Sequence, residues 1–175
     1  MTEKTSNYAE HPKAPTAAEV GFDPARPDPA TILAQGVAAG DEFTHVRDMF
    51  ETDLATASLG IKITDITASS CDGHFTVCDF MCNGHGTTQG GFLYTFADSL
   101  FAGACNAAGT VAVAAYNSIH YLRPVWGGSV VHGHAEIRNT WGKSGTVDVE
   151  LTVDGTVVAD FRGTFRMLGG KPSAR

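Results

Sequence analysis

Between Gly90 and Gly109 the chain carries a helix-length run, GGFLYTFADSLFAGACNAAG, with almost no polar side. Phe92, Leu93, Phe96, Leu100, Phe101, Ala104 and Cys105 are spread around the helix instead of forming one stripe, so the helix is expected to be buried on nearly every side. Ala97, Ala102, Gly103 and Ala104 are small enough to let a sheet wrap closely around it. Its one charged residue is Asp98. A carboxylate among apolar neighbours is costly unless it is paired or used. Two roles are open to it: a structural group bonded to Thr95 or to a partner chain, or a reactive group.

The rest of the chain restricts the partners. A net charge of −7 argues against nucleic acid, which requires a basic face, but leaves room for an anionic small molecule held by a few local cations. No run of 18 apolar residues is present, so no transmembrane helix and no membrane partner are expected. The first twenty residues lack the apolar core of a signal peptide, and a cytoplasmic location follows as the expectation. Cys71, Cys78, Cys82 and Cys105 have no CxxC spacing and read as reduced structural thiols without a zinc site.

In chain order, residues 1–40 are rich in Pro and Ala and read as a loosely ordered extension, with a short helix at Pro29–Val37. From Asp41 to Ser58 the apolar residues Phe43, Val46, Met49, Phe50, Leu54 and Ala57 recur at three and four, the pattern of an amphipathic helix capped by Gly60. The period then becomes two. Ile61, Ile63 and Ile66 mark one strand and His74–Phe80 a second, with Asp72-Gly73 as the turn. After the central helix come Val111–Leu122, Val130–Asn139, Thr146–Val153 and Val157–Leu168, the last two joined by a tight turn at Asp154-Gly155. One polar face per strand indicates an antiparallel sheet with one side on the core. The fold class is therefore α+β: a curved antiparallel sheet wrapped around one long buried helix, the hotdog arrangement, over residues 41–170 with a tail at 171–175.

Just before the helix, NGHGTTQGG has neither the spacing of a dinucleotide loop nor the ending of a phosphate loop. Glycines at a helix N-terminus instead leave free N–H groups in a positive potential, which suits polarising a carbonyl during acyl transfer. Asn83-Gly84-His85, Gln89-Gly90-Gly91, Ala97-Asp98-Ser99 and Ala104-Cys105-Asn106 together resemble the hotdog acyl-CoA thioesterases of the PaaI type, linked to phenylacetate degradation. Met49-Phe50-Glu51, Leu59-Gly60-Ile61, Leu122-Arg123-Pro124, Gly142-Lys143 and Phe161-Arg162-Gly163 extend the resemblance over about Glu42 to Gly170. It implies hydrolysis of acyl-CoA, with Gly90 N–H polarising the thioester carbonyl and Asp98 as nucleophile or general base. Asn83 would orient the carbonyl or the water. Gln89 stands where most members carry His, and Thr52 where Asn is frequent. Gly91, Ala102 and Ser144 are the further substrate contacts it implies, and no metal or redox cofactor is called for.

Gly90 and Asp98 are eight residues apart, about 12 Å along a helix. A carboxylate acts within about 3 Å of its target, directly or through one water. If both residues act on one thioester they belong to different subunits, so a homodimer with two symmetric sites is expected, paired again into a tetramer. His85 reads either as a loop cap or as a catalytic group. His132, His134 and Glu136 share a strand face at metal-ligand spacing, but without further ligands they read as a solvated or subunit-facing row. Arg123, Lys143, Arg162 and Arg166 are candidates for the coenzyme A phosphates. The alternatives to hydrolysis are a hotdog 3-hydroxyacyl-thioester dehydratase and a non-catalytic acyl-CoA-binding protein.

Overall fold

The computed structural model describes residues 13–168. The tail at 171–175 and the first part of the extension lie outside the described residues. From residue 13 the extension is more ordered than its composition suggests. Helix α1 (Ala17–Val20) opens on a capping box in which Thr16 and Glu19 satisfy each other's backbone N–H groups. A 3₁₀ turn at Pro29–Thr31 stands where a helix to Val37 was expected. It stops there because Ile32 is fully buried and Leu33 bridges Ile63. This order comes from contacts with distant residues, which a local reading of a Pro- and Ala-rich segment does not see.

The amphipathic stretch is broken in two, α2 (Thr44–Phe50) and α3 (Leu54–Ser58). Asp53 causes the break: its carboxylate accepts from Thr56 N at 2.9 Å and caps a new helix. Gly60, at φ +65°, follows the end of α3. Strands β1 (Lys62–Ile66) and β2 (Ser70–Thr76) come next. Their turn is not at Asp72-Gly73. Thr67 and Ser70 close it, with Thr67 N donating to Ser70 O at 3.0 Å and the two hydroxyls 2.7 Å apart. Gly73 sits inside β2 for a different reason: a Cβ there would stand 2.5 Å from Lys62 O and 3.0 Å from Leu100. The glycine marks a close approach of backbone and helix, not a turn.

Helix α4 (Gly90–Asn106) follows, then β3 (Ala112–Tyr121), β4 (Val130–Trp141), β5 (Ser144–Val153) and β6 (Thr156–Met167). Asp154 and Gly155, both at positive φ, form the expected tight turn. All strands pair antiparallel in the order β1-β2-β4-β5-β6-β3. The sheet holds α4 against its inner face, where Val131, Ala135, Val147, Val149, Leu151 and Phe161 meet Leu93, Phe96, Leu100 and Phe101. This is the hotdog arrangement that the pattern of elements predicts. Among the described residues no helix is long and apolar enough to cross a membrane.

The order places β3 at an edge, paired only with β6 among the described residues. That edge is unusually apolar for water, with Val113, Tyr116 and Tyr121 exposed.

The close approach at Gly73 gives a stability test. Gly73→Ala is expected to lower the unfolding free energy by about 1–3 kcal/mol. Gly84→Ala, where an added Cβ meets nothing within 4 Å, is expected to stay within about 0.5 kcal/mol of the parent. Urea unfolding of the two variants beside the parent checks the contrast.

Candidate active site

The N-terminus of α4 is held by a loop whose polar side chains are largely spent on shaping it. Asn83 Oδ1 accepts from His85 N at 2.9 Å and from Thr87 N at 3.3 Å, while Asn83 Nδ2 donates to Thr87 Oγ1 at 2.9 Å. This turn geometry is what an Asn side chain does best. Gly86, at φ +79°, completes the bend. Thr88 is buried, with both its N–H and its hydroxyl donating to Val125 O, and Gln89 N donates to Met81 O at 2.9 Å. The chain is thereby pinned on both sides before the helix begins.

Gln89 is the N-cap residue, exposed, with no side-chain capping bond. Gly90 and Gly91 open the helix, so their N–H groups have no intrahelical acceptor. Tyr121, from the end of β3, donates its hydroxyl to Gly90 O at 2.9 Å and lays its ring against Gly90. A Cβ on Gly90 would be 2.9 Å from that ring. The helix start is thus open to an incoming oxygen on its N–H side and closed on its carbonyl side.

Two hollows flank it. One, of about 420 Å³, is lined by Gly90, Leu93, Tyr121, Arg123 and Val125 among others. The other, of about 410 Å³, lies between α3 and α4 and is lined by Leu59, Gln89, Gly91, Phe92 and Thr95 among others. Asp98 lines neither.

The helix is not enclosed on every side, as its composition suggests. Gly91, Thr95, Asp98 and Ala102, spaced four, three and four, are exposed or half-buried and run along one face. Opening this line to solvent costs little because its residues are small or polar. Thr95 does not pair with Asp98; its hydroxyl donates to Gly91 O at 2.9 Å. The partner of Asp98 is Asn117 on β3, whose Nδ2 donates to Asp98 Oδ1 at 2.7 Å. Burial pushes the Asp98 carboxyl above its ordinary value, and the Asn117 bond pulls the other way.

The remaining candidates are dispersed. His85 is exposed on the loop. Thr52 bonds weakly to Met49 O at the end of α2. Arg123 donates to Val157 O, Arg162 makes a two-point pair with Asp148 at 2.5 and 2.6 Å, and Arg166 reaches Ser144 Oγ at 3.4 Å. Lys143 is exposed at the β4–β5 turn. His132, His134 and Glu136 lie exposed on the outer sheet face. There His134 pairs with Asp72 and Glu136 with Arg138. Among the described residues no three His, Cys, Asp or Glu side chains come together as a metal site. Burial raises the Cys78 thiol to about 11 and the Cys105 thiol to about 12, so both stay protonated and serve as packing.

Asn117 is the site residue that the sequence reading missed. Its signal was an Asn inside a strand, a position that Asn disfavours.

The thioesterase superfamily model matches residues 85–159. The acyl-coenzyme A thioesterase PaaI of Escherichia coli K12 is 36% identical over 123 residues, which cover 70% of this chain and 88% of that protein. The solved structure of the E. coli PaaI protein from the phenylacetic acid degradation operon superposes with a TM-score of 0.72 at 34% identity, over 74% of this chain and 95% of that one. The TT0310 protein of Thermus thermophilus superposes with a TM-score of 0.63 at 36% identity, over 65% of this chain and 96% of that one.

The environment of Asp98 has a consequence for stability. A carboxyl whose folded pKa lies above its unfolded value favours the folded state only while protonated. Its contribution declines as pH rises from the unfolded pKa through the folded one. Asp98→Asn is therefore expected to raise the melting temperature at neutral pH, with the gain shrinking as pH falls through the ordinary carboxylate range. Thermal unfolding of parent and variant across pH checks it; a variant that melts below the parent at neutral pH contradicts it.

Proposed function

The chain belongs to the thioesterase superfamily, and on that premise we propose that it hydrolyses acyl-CoA thioesters to free acid and coenzyme A. The observation that carries the reading is the pairing of an open glycine N-terminus on α4 with one half-buried carboxylate on the same helix. The Gly90 N–H holds the thioester oxygen, where negative charge grows as the carbonyl is attacked. Asp98 takes a proton from the attacking water, or attacks the carbonyl itself to give an anhydride that water opens. In either case an acyl–oxygen bond forms, the acyl–sulfur bond breaks, and the thiolate leaves with the electron pair. A carboxyl raised above its ordinary value is better matched to accept a proton near neutral pH.

Asp98 lies about 12 Å along α4 from Gly90 and lines neither hollow beside it, which supports a site shared between subunits. The open face Gly91–Thr95–Asp98–Ala102 and the apolar edge of β3 are the surfaces a second copy would cover. The proposed assembly is a homodimer with two sites, paired into a tetramer and working in the cytoplasm. The favoured acyl group is aryl or phenylacetyl. Phe92 borders a hollow next to Gly91, whereas Phe96 and Phe101 are fully buried and belong to the core. The exposure of Gln89 at the helix start supports a substrate contact for it, and the bond that Asn83 accepts from His85 N supports a loop-shaping role. Arg123 borders the hollow at Gly90 and is the best-placed cation for a coenzyme A phosphate.

Thiol release from a panel of acyl-CoA esters that includes phenylacetyl-CoA tests this reading. The parent is expected to turn over at least one ester. Asp98→Ala and Asp98→Asn, with folding confirmed, are expected to lose about 10²–10⁴-fold in kcat. No turnover of any ester, or an Asp98→Ala variant as fast as the parent, refutes it; binding without turnover would identify an acyl-CoA-binding protein instead.

A further inference from the structure

We infer that Asn117 is a positioning residue for the reaction: its amide group fixes the Asp98 carboxylate through one oxygen and leaves the other to face the substrate. The inference rests on the reading of Asp98 as the reactive carboxylate.

The geometry is one-sided. Asn117 Nδ2 donates to Asp98 Oδ1 at 2.7 Å, a short bond of the kind made to a charged acceptor. Asn117 Oδ1, at the other end of the amide, is buried and has no hydrogen-bond partner among the described residues. Burying an amide oxygen without a donor is unfavourable, and a Leu of similar size would pack here without that cost. A residue present only for packing would not retain the amide. What the amide adds is its NH₂, and that is spent on Asp98.

The backbone is arranged to permit this. Asn117 pairs with Gly163 across β3 and β6. A Cβ on Gly163 would lie 2.5 Å from the Phe101 ring and 2.8 Å from Asn117 Oδ1. The glycine makes the room in which the amide sits beside α4. At the far end of the helix, Asn106 exchanges bonds with Ala112 N and O at 2.9 and 3.1 Å, which ties the start of β3 to the end of α4. Asn117 is thereby delivered to Asp98 by two rigid elements, as precise positioning requires.

Few other groups face the carboxylate. On α4, Cys105 feels its charge, and Tyr94 stacks edge-on to Phe161. On β6, Arg162 points outward to Asp148. From α2, His45 pairs with Asn106, and Asp53 at the start of α3 is used by Thr56. No cation of this protomer is paired with Asp98 among the described residues, so the neutral amide is the group that favours its charged form. A bond donated to Oδ1 also leaves Oδ2 as the oxygen that takes the proton or attacks.

The test uses Asn117→Leu, which removes the donor at similar volume, and Asn117→Asp, which replaces it with a like charge at nearly the same shape. Two readouts are taken on the full chain. Carboxyl-carbon NMR follows the titration of Asp98, and kcat and KM are followed across pH on an acyl-CoA ester that the parent hydrolyses. In both variants Asp98 is expected to titrate at higher pH than in the parent, because the bond that favours its charged form is gone. The acidic limb of kcat moves with it, and kcat at neutral pH falls about 10–100-fold with KM within about twofold. A variant whose Asp98 titration and acidic limb coincide with the parent's overturns the inference. If Asn117→Leu does not fold, Asn117→Asp decides by the same criteria. The NMR titration needs no turnover. A protein that hydrolyses nothing sinks the thioesterase reading, whereas an unmoved titration sinks the role of Asn117.

Discussion

Enclosing an apolar helix is the constraint on which the rest of this molecule depends. Helix α4 buries Leu93, Phe96, Ala97, Leu100, Phe101 and Ala104 at once, and only a sheet that curves around it can cover so many directions. Curvature requires close approach, and close approach requires missing side chains. Gly103 faces Cys71, and Gly133 faces Leu100 and Leu151. At each, an added Cβ would stand about 2.5 Å or less from its nearest neighbour. The sheet's grip on the helix is therefore written in glycines at least as much as in large apolar residues.

The same enclosure creates the site. A helix largely buried elsewhere leaves the small and polar line Gly91–Thr95–Asp98–Ala102 exposed or half-buried, with Phe92 and Tyr94 also half-buried in its first turns, and one end open, at Gly90. Removing water from around Asp98 raises its carboxyl, and the helix end supplies unpaired N–H groups in a positive potential. In the proposed mechanism, the carboxylate that takes a proton and the donor that meets an oxyanion thus arise from one element. In that mechanism, their separation along that element is what calls for a second subunit.

Much of this was legible in the sequence. The all-round apolar run at 90–106 and the period-two rows after it carry the fold, because burial and side-chain direction are local properties of a pattern. The glycine turn and Asp98 were legible as anomalies, since a polar residue in an apolar helix needs a reason. Other features depend on partners far along the chain. Asp72-Gly73 has the composition of a turn, yet the space it occupies belongs to Leu100. Asp53 looks like one polar residue in an amphipathic stripe, but as a cap it divides the helix. Residues 13–40 have no periodicity, and what orders them is the burial of Ile32 and the bridge to Ile63. Asn117 is hidden for the same reason: nothing near it in sequence tells that Asp98, at the other side of a turn, is its partner.

The central claim is that one site takes its oxyanion donor from one subunit and its carboxylate from another. Mixed dimers test it most directly. Gly90→Pro removes the N–H at a position where proline suits the first turn of a helix and the extended Gln89 before it is compatible. Its Cβ meets the end of the Tyr121 ring, which must shift, so the variant is first shown to fold and dimerise. Asp98→Asn removes the carboxylate. Each variant alone should be nearly inactive. Refolded together in equal amounts, they form mixed dimers in which one site carries both defects and the other carries neither. The account predicts recovery to about one quarter of the parent's rate on acyl-CoA. A mixture no more active than its components, with mixed dimers shown to be present, would place both residues of each site in one chain and contradict it.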